Sequence, residues 1–244
     1  MSILKKIFKK YKIELEDNEL QKFEKFLEIF MEKNSHINLS AIRDEEWIIE
    51  KHFVDSIILN IFMDFNVPPT GWIDLVQGNI KILDLWTGWG FPLIPLAIIN
   101  PKIKFVWLDS VGKKLKAIEW FAEELELNNI STVHERAEIV GKNPKHREQY
   151  DYVVSRATAF LPTLLEFSIP LLKVGWIFIA YKLADKEELR AAKKALSRLS
   201  TKIYKVKNYD IEWQRRTLLI IEKLQPTHKK YPRKIWVPLA RPIS

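Results

Sequence analysis

Apolar positions along the first sixty residues recur at helical spacing. Ile3, Leu4, Ile7, Phe8 and Tyr11 form one stripe, and Leu20, Phe23, Leu27, Phe30 and Met31 form a second. Asp17 is placed to cap the second helix, and Asp44 a third running to about Phe62. The lysines of the first helix lie opposite its apolar stripe. Such a helix sits on a membrane surface or, more commonly, packs on a core. Pro68, Pro69, Gly71, Gly78 and Asn79 then mark a loop or boundary at 66–79.

Beyond it, short apolar runs alternate with amphipathic stretches. The runs are Ile80–Leu85, Lys104–Leu108, Ser131–His134, Tyr152–Ser155 and Ile177–Lys182. The helices between and after them are Leu93–Ile99, Lys113–Leu127, Leu161–Leu172 and Lys186–Leu199. This alternation predicts a parallel, doubly wound α/β sheet. Two further runs, Thr201–Tyr209 and Arg216–Leu224, have no helix between them and predict a closing hairpin with an antiparallel strand. The expected organisation is a helical region 1–65, the boundary 66–79, a sheet domain 80–224 and a basic C-terminal tail 225–244.

Composition narrows the class. With 244 residues, 47% of them hydrophobic and 29% charged, the chain is ordinary globular material. The absence of cysteine excludes a disulfide scaffold, thiolate metal sites and a cysteine nucleophile. The five histidines, at 36, 52, 134, 146 and 228, show no ligand spacing, so no metal is expected. No apolar stretch is long enough to span a bilayer, and no signal peptide is evident. The expectation is a soluble cytoplasmic protein, with a monomer as the default. The net charge is +8, and its distribution says more than its size. Residues 1–13 carry five lysines, and Lys229, Lys230, Arg233, Lys234 and Arg241 lie in 225–244. Neither end holds an acid, so the body between them is slightly acidic. Basic ends of this kind favour a polyanion partner over mere solubility tails, most naturally nucleic acid.

The first strand runs Ile82-Leu83-Asp84-Leu85-Trp86-Thr87-Gly88-Trp89-Gly90-Phe91-Pro92. A strand entering a glycine-containing turn before a helix is the nucleotide-binding corner of a Rossmann-like sheet. Glycine lets the backbone approach a ligand, and the helix start offers free N–H groups. Gly88-x-Gly90 is followed by Leu93, so the third glycine of a dinucleotide fingerprint is missing. That disfavours a nicotinamide dehydrogenase. Asp84 before the turn is typical of methyltransferases that bind S-adenosylmethionine. Asp109 ends the second strand about 20 residues beyond the turn, where a ribose hydroxyl pair would lie, and it is also placed to cap the next helix.

These stretches resemble the RsmG family (glucose-inhibited division protein B) over nearly the whole chain. The likeness includes Asn38-Leu39-Ser40-Ala41-Ile42-Arg43-Asp44 and Lys51-His52-Phe53-Val54-Asp55-Ser56. It continues through the turn and Leu108-Asp109-Ser110-Val111-Gly112-Lys113-Lys114. It returns at Asp151-Tyr152-Val153-Val154-Ser155-Arg156-Ala157, Tyr181-Lys182 and Tyr231-Pro232-Arg233-Lys234. The resemblance implies a Rossmann-like methyltransferase sheet with a helical N-terminal part. It also implies S-adenosylmethionine-dependent methylation of guanine N7 in 16S rRNA of the small ribosomal subunit. Its cofactor positions fall here at Trp86, Phe91, Asp109, Ser110, Ala137, Glu138 and Arg156. Glu138 is then expected near the adenine, and Arg156 at the ligand-binding end of the fourth strand.

His52, Asp55 and Ser56 share a helix face, but their spacing cannot reproduce a nucleophile–base–orienter relay, so they are expected to buttress the site or touch RNA. Guanine N7 carries a lone pair and no proton, so methylation needs no general base. A recognition arginine, Arg156 or Arg43, is expected to hold O6 or a phosphate and leave N7 free. Asp109→Ala and Arg156→Ala are both expected to lower methyl transfer without unfolding the protein.

One anomaly remains. Average usage predicts roughly 17 glycines, and the chain has 7, against 9 tryptophans. In the resembling family, positions 86, 89, 176, 213 and 236 are commonly glycine, whereas here all five are tryptophan. Two explanations follow. Either UGA codons that the source reads as glycine stand here as tryptophan, or the tryptophans are real, by deliberate substitution or by divergence to a catalytically inactive RNA-binding homologue with a crowded cofactor turn.

Overall fold

The computed structural model describes residues 2–65, 80–86, 88–156, 159–183 and 185–243. The loop expected at 66–79 lies outside them. The N-terminal helices are α1 (Ile3–Lys10), α2 (Asp17–Ile37), α3 (Glu45–Ile48), α4 (Asp55–Ile57) and α5 (Leu59–Phe62). A π-helical turn, Ile49–Val54, separates α3 from α4, so the third expected helix is interrupted in its middle. Helix α1 buries Leu4, Ile7 and Phe8 and leaves its lysines outside, which is core packing rather than a membrane face.

The sheet strands are β1 (Lys81–Leu85), β2 (Lys104–Asp109), β3 (Ile130–His134), β4 (Tyr150–Ser155), β5 (Leu172–Leu183), β6 (Thr201–Ile211) and β7 (Gln214–Lys223). Their spatial order is β3-β2-β1-β4-β5-β7-β6. Neighbours from β3 to β5 pair in parallel, and β7 is antiparallel to both β5 and β6. The helices between and after them are α6 (Leu93–Ile99), α7 (Gly112–Glu124), α8 (Ala137–Val140), α9 (Leu161–Ser168), α10 (Lys186–Ala191), α11 (Lys193–Arg198) and α12 (Val237–Ala240).

The chain reverses its direction of travel across the sheet between β1 and β4, which makes this the switch point where a doubly wound sheet opens a crevice at its strand C-termini. The strands around it are buried apolar runs, as strands covered on both faces must be. The N-terminal helices share the sheet's core. Phe26 stacks on Phe53 and also meets Phe91 after β1 and Phe121 of α7. At the other extremity, residues 225–243 pack as a strap rather than extend as a tail. Thr227, Tyr231 and Ile243 are buried. Arg233 donates through its backbone N–H, Nε and NH2 to the fully buried carboxylate of Glu166, with NH2 at 2.6 Å from Oε2. A buried carboxylate needs such a partner, so the strap cannot leave without exposing one.

Candidate active site

The C-terminal ends of β3, β2, β1 and β4 lie side by side. After β1 the backbone turns through Trp86, Gly88 and Gly90, all with positive φ. Gly90 holds φ of +102°, a conformation that L side chains rarely adopt, and a Cβ there would also press on the side-chain tips of Ile94 at 2.6 Å and Ile118 at 2.7 Å. At Gly88 nothing lies within 4 Å of where a Cβ would be, which leaves that side of the turn open. Asp84, fully buried, lies in β1 just before the turn.

Asp109 is buried at the end of β2. Its Oδ1 accepts from the Val111 N–H at 2.9 Å, and its Oδ2 from Lys114 Nζ at 3.2 Å. Asp109 thus closes a turn just ahead of α7 rather than capping the helix, and since a carboxylate has about four acceptor sites, capacity remains for a hydroxyl pair. Ser110 follows it, exposed, and its carbonyl faces His134 Nε2 at 3.2 Å. Beyond β3, Ala137 and Glu138 open α8, and both are buried. Glu138 Oε1 accepts from Arg136 NH2 at 2.9 Å and from the Trp236 N–H at 3.1 Å. Glu138 Oε2 is buried and has no hydrogen-bond partner among the described residues. A buried acceptor left this way marks a place where a donor belongs.

Phe91 and Arg156 both meet the N-terminal helices. Phe91 is buried and stacks on His52 at 4.6 Å between ring centres. Arg156 turns toward the N-terminal helices. Its NH1 donates to the Lys51 carbonyl and to Asp55 Oδ2, both at 3.1 Å, and its NH2 donates to His52 Nδ1 at 3.0 Å. Asp55, fully buried, also accepts from Tyr209 Oη at 2.8 Å and lies 3.4 Å from Arg216 NH1. The expectation that Arg156→Ala spares the fold is revised here, because Arg156 is paired with the buried Asp55 carboxylate. Asp55 and Ser56 are buried, so they buttress the site and do not touch RNA. Arg43 donates to the Asn34 carbonyl and to Asn38 Oδ1 at 2.7 Å, holding the loop after α2.

The network fixes the His52 tautomer. Arginine only donates, so Nδ1 accepts, and Nε2–H donates to Ser40 Oγ at 2.9 Å. Burial first, and then the Arg156 charge, push the imidazole pKa down to about 3, so His52 is neutral near pH 7.

Beside this network, at the ends of β4 and β5, opens a cleft of about 610 Å³. Arg156, Phe160, Tyr181, Lys182, Gln214 and Arg216 are among its lining residues. Phe160 is 41% exposed, Lys182 is held by Glu188 at 2.6 Å, and Arg216 Nε is buried without a hydrogen-bond partner among the described residues. Phe160 and Arg216 escaped notice in the sequence. Each stands alone in its local segment, and only the strand order brings them to Arg156. Among the described residues, no group of three or more His, Asp or Glu could hold a metal, and no helix is long and apolar enough to cross a membrane.

Strand order, the antiparallel β7 and the glycine turn at the switch point define a Rossmann-like methyltransferase fold. A solved structure shares it: a variant of the 16S rRNA (adenine(1408)-N(1))-methyltransferase from Catenulisporales acidiphilia. The TM-score is 0.51 at 14% identity, covering 61% of this chain and 87% of that one. The chain belongs to the rRNA small subunit methyltransferase G (GidB) family, whose profile matches residues 19–218. A relative from Acetivibrio thermocellus named ribosomal RNA small subunit methyltransferase G is 40% identical over 235 residues, 95% of this chain and 92% of that protein. One of the same name from Lysinibacillus sphaericus is 40% identical over 239 residues, 97% of this chain and 96% of that protein. The RsmG resemblance is thereby established, and with it membership of an rRNA-methylating enzyme family. The reading as a catalytically inactive homologue finds no support among these relatives.

Proposed function

We propose that this chain transfers a methyl group from S-adenosylmethionine to N7 of a guanine in 16S rRNA, acting as a cytoplasmic monomer. The observation that carries the reading is the adjacency of two halves across the switch point. One is the corner of Gly88, Asp109 and Glu138, and the other is the cleft of Phe160 and Arg216. The corner fits the cofactor: Asp109 has acceptor capacity for ribose hydroxyls, and Glu138 Oε2 is an unfilled acceptor for an adenine amine. When bound, S-adenosylmethionine supplies an electrophilic methyl on a sulfonium. Trp86, Phe91, Ser110 and Ala137 complete the walls of the corner. Arg156 acts from the other side, holding the cleft to the N-terminal helices.

The residues then have little chemistry left to do. N7 brings its own lone pair, so no side chain removes a proton before attack. Phe160 offers a ring face for a base to stack on, and Arg216 Nε an unused donor for its O6. Catalysis rests on holding N7 in line with the methyl, the entropic term that makes positioning effective. His52, neutral and hydrogen-bonded on both nitrogens, serves as a prop.

The experiment is single-turnover incubation of the protein with methyl-labelled S-adenosylmethionine and either 16S rRNA or small subunits. The modified base is then mapped by nuclease digestion and mass spectrometry. One 7-methylguanine per rRNA is expected. Label on another base, or none on either substrate, overturns the reading.

A further inference from the structure

The acid-free stretch richest in cations is neither terminus. From Arg190 to Tyr209 the chain carries seven cations and no carboxylate. Arg190, Lys193, Lys194 and Arg198 project from α10 and α11 and are exposed, while Ala195 and Leu196 between them are buried. Lys194 and Arg198 are neighbours on the helix surface at i, i+4, a repulsive spacing for like charges. The chain passes directly into β6, where Lys202, Lys205 and Lys207 continue the run. None of Arg190, Lys193, Lys194, Arg198 and Lys205 has an ion-pair partner among the described residues. Lys202 alone of the seven is paired, with Glu222 at 2.9 Å.

Strand β6 is the open edge of the sheet. Five successive residues, 202–206, are exposed, so both of its faces stand in solvent there, and a register shift between Ile203 and Lys205 lifts Tyr204 out of the ladder. Tyr204 is 48% exposed, between lysines. The strand also leads to the proposed cleft. Lys207 pairs with Leu218, and Leu218 with Tyr181, which lines the cleft. Two strand spacings, about 10 Å, separate them.

We infer that the α11–β6 edge is a docking surface for the phosphate backbone of the substrate RNA, gripping it beside the cleft. The inference rests on the proposed rRNA activity. Repelling cations kept together without counter-charges fit a polyanion that releases its counterions on binding. Lysines also guard edge strands against aggregation, and the test separates the two roles, because glutamate guards an edge equally well but repels phosphate.

The variant carries Lys193→Glu, Lys194→Glu, Arg198→Glu and Lys205→Glu. Its affinity for a 16S rRNA transcript is expected to fall at least about tenfold, and its salt slope to shrink by roughly three, at ~0.7–0.9 per phosphate contact. Its melting temperature and its calorimetric affinity for S-adenosylmethionine should hold. Lys193→Gln with Lys205→Gln, the milder change, should give an intermediate loss, and this pair decides the matter if the fourfold variant does not fold. Unchanged affinity and salt slope in a folded variant overturn the docking surface while leaving the methyltransferase reading intact. A wild-type protein that binds no rRNA overturns the parent reading and this one with it.

Discussion

Trp86 and Trp236 adopt φ of +61° and +69°, the left-handed region. A side chain there costs roughly 1–2 kcal/mol, which glycine avoids. Trp176 follows Gly175, at φ +82°, and Trp213 follows Glu212, at φ +54°, in the β6–β7 turn. Backbone geometry thus favours glycine at two of the five anomalous positions, and we propose that all five codons are UGA. Trp86→Gly is expected to stabilise the protein by about 1 kcal/mol in denaturant melts and to tighten S-adenosylmethionine binding in calorimetry. UGG at these codons would by itself refute recoding. His52 makes a different prediction. Its folded pKa, about 3, lies below its unfolded value near 6.5, so the unfolded chain binds the extra proton first. Its contribution is complete above pH 6.5 and drains away as pH falls toward 3. Urea melts should show that loss, and His52→Gln should flatten it, whereas single-turnover rates should show no limb from His52 near neutrality. Asp109 and Arg156 divide in the same spirit. Asp109→Ala should lower activity with the melting temperature held within a few degrees. Arg156→Ala should lower both, because it strips a cation from buried Asp55.

Among the elements, the parallel strands were legible because strands covered on both faces are mostly apolar, as β1, β2 and β4 are despite Asp84 and Asp151. Strand β5 begins at Leu172, five residues before its apolar run at Ile177, because Lys173 and Gly175 break the hydrophobic pattern where the pairing with β4 also shifts register. The short helices α8 and α12 are too brief to show a period. The final segment misleads for another reason. Its charges suggest solvent, while one of them, Arg233, is committed to Glu166. Arg233→Ala should therefore cost about 3–5 kcal/mol by leaving a buried carboxylate unpaired, a loss readable in thermal melts and little affected by salt. A loss under 1 kcal/mol would mean that the strap is loosely held. The site was half legible. Asp109 and Glu138 follow strands and can be found by counting, whereas Arg216 enters from β7, 60 residues after Arg156, by pairing alone.

At the scale of the whole molecule, charge is spread more widely than its two ends suggested. Lys10 binds Glu50 at 2.7 Å and also reaches Glu212, so the first helix spends one of its cations internally. The cations left free at the ends include Lys5, Lys6 and Lys9, with Lys229, Lys230 and Lys234 on the strap. Replacing these six by glutamine should weaken rRNA binding and flatten its salt dependence, as filter-binding titrations would show. An unchanged slope would assign these residues to solubility.

The Asp55 network has a consequence for the order in which the protein is made. Its carboxylate belongs to the first quarter of the chain, yet its partners Arg156 and Tyr209 are translated 101 and 154 residues later. Arg216 comes later still. Until the β6–β7 hairpin leaves the ribosome, the N-terminal helices hold an anion that they cannot bury at low cost. Completion of the fold therefore waits for nearly complete synthesis, and a chain cut short before the hairpin has no stable resting place for Asp55. The buried charge acts as a check that the whole message was read.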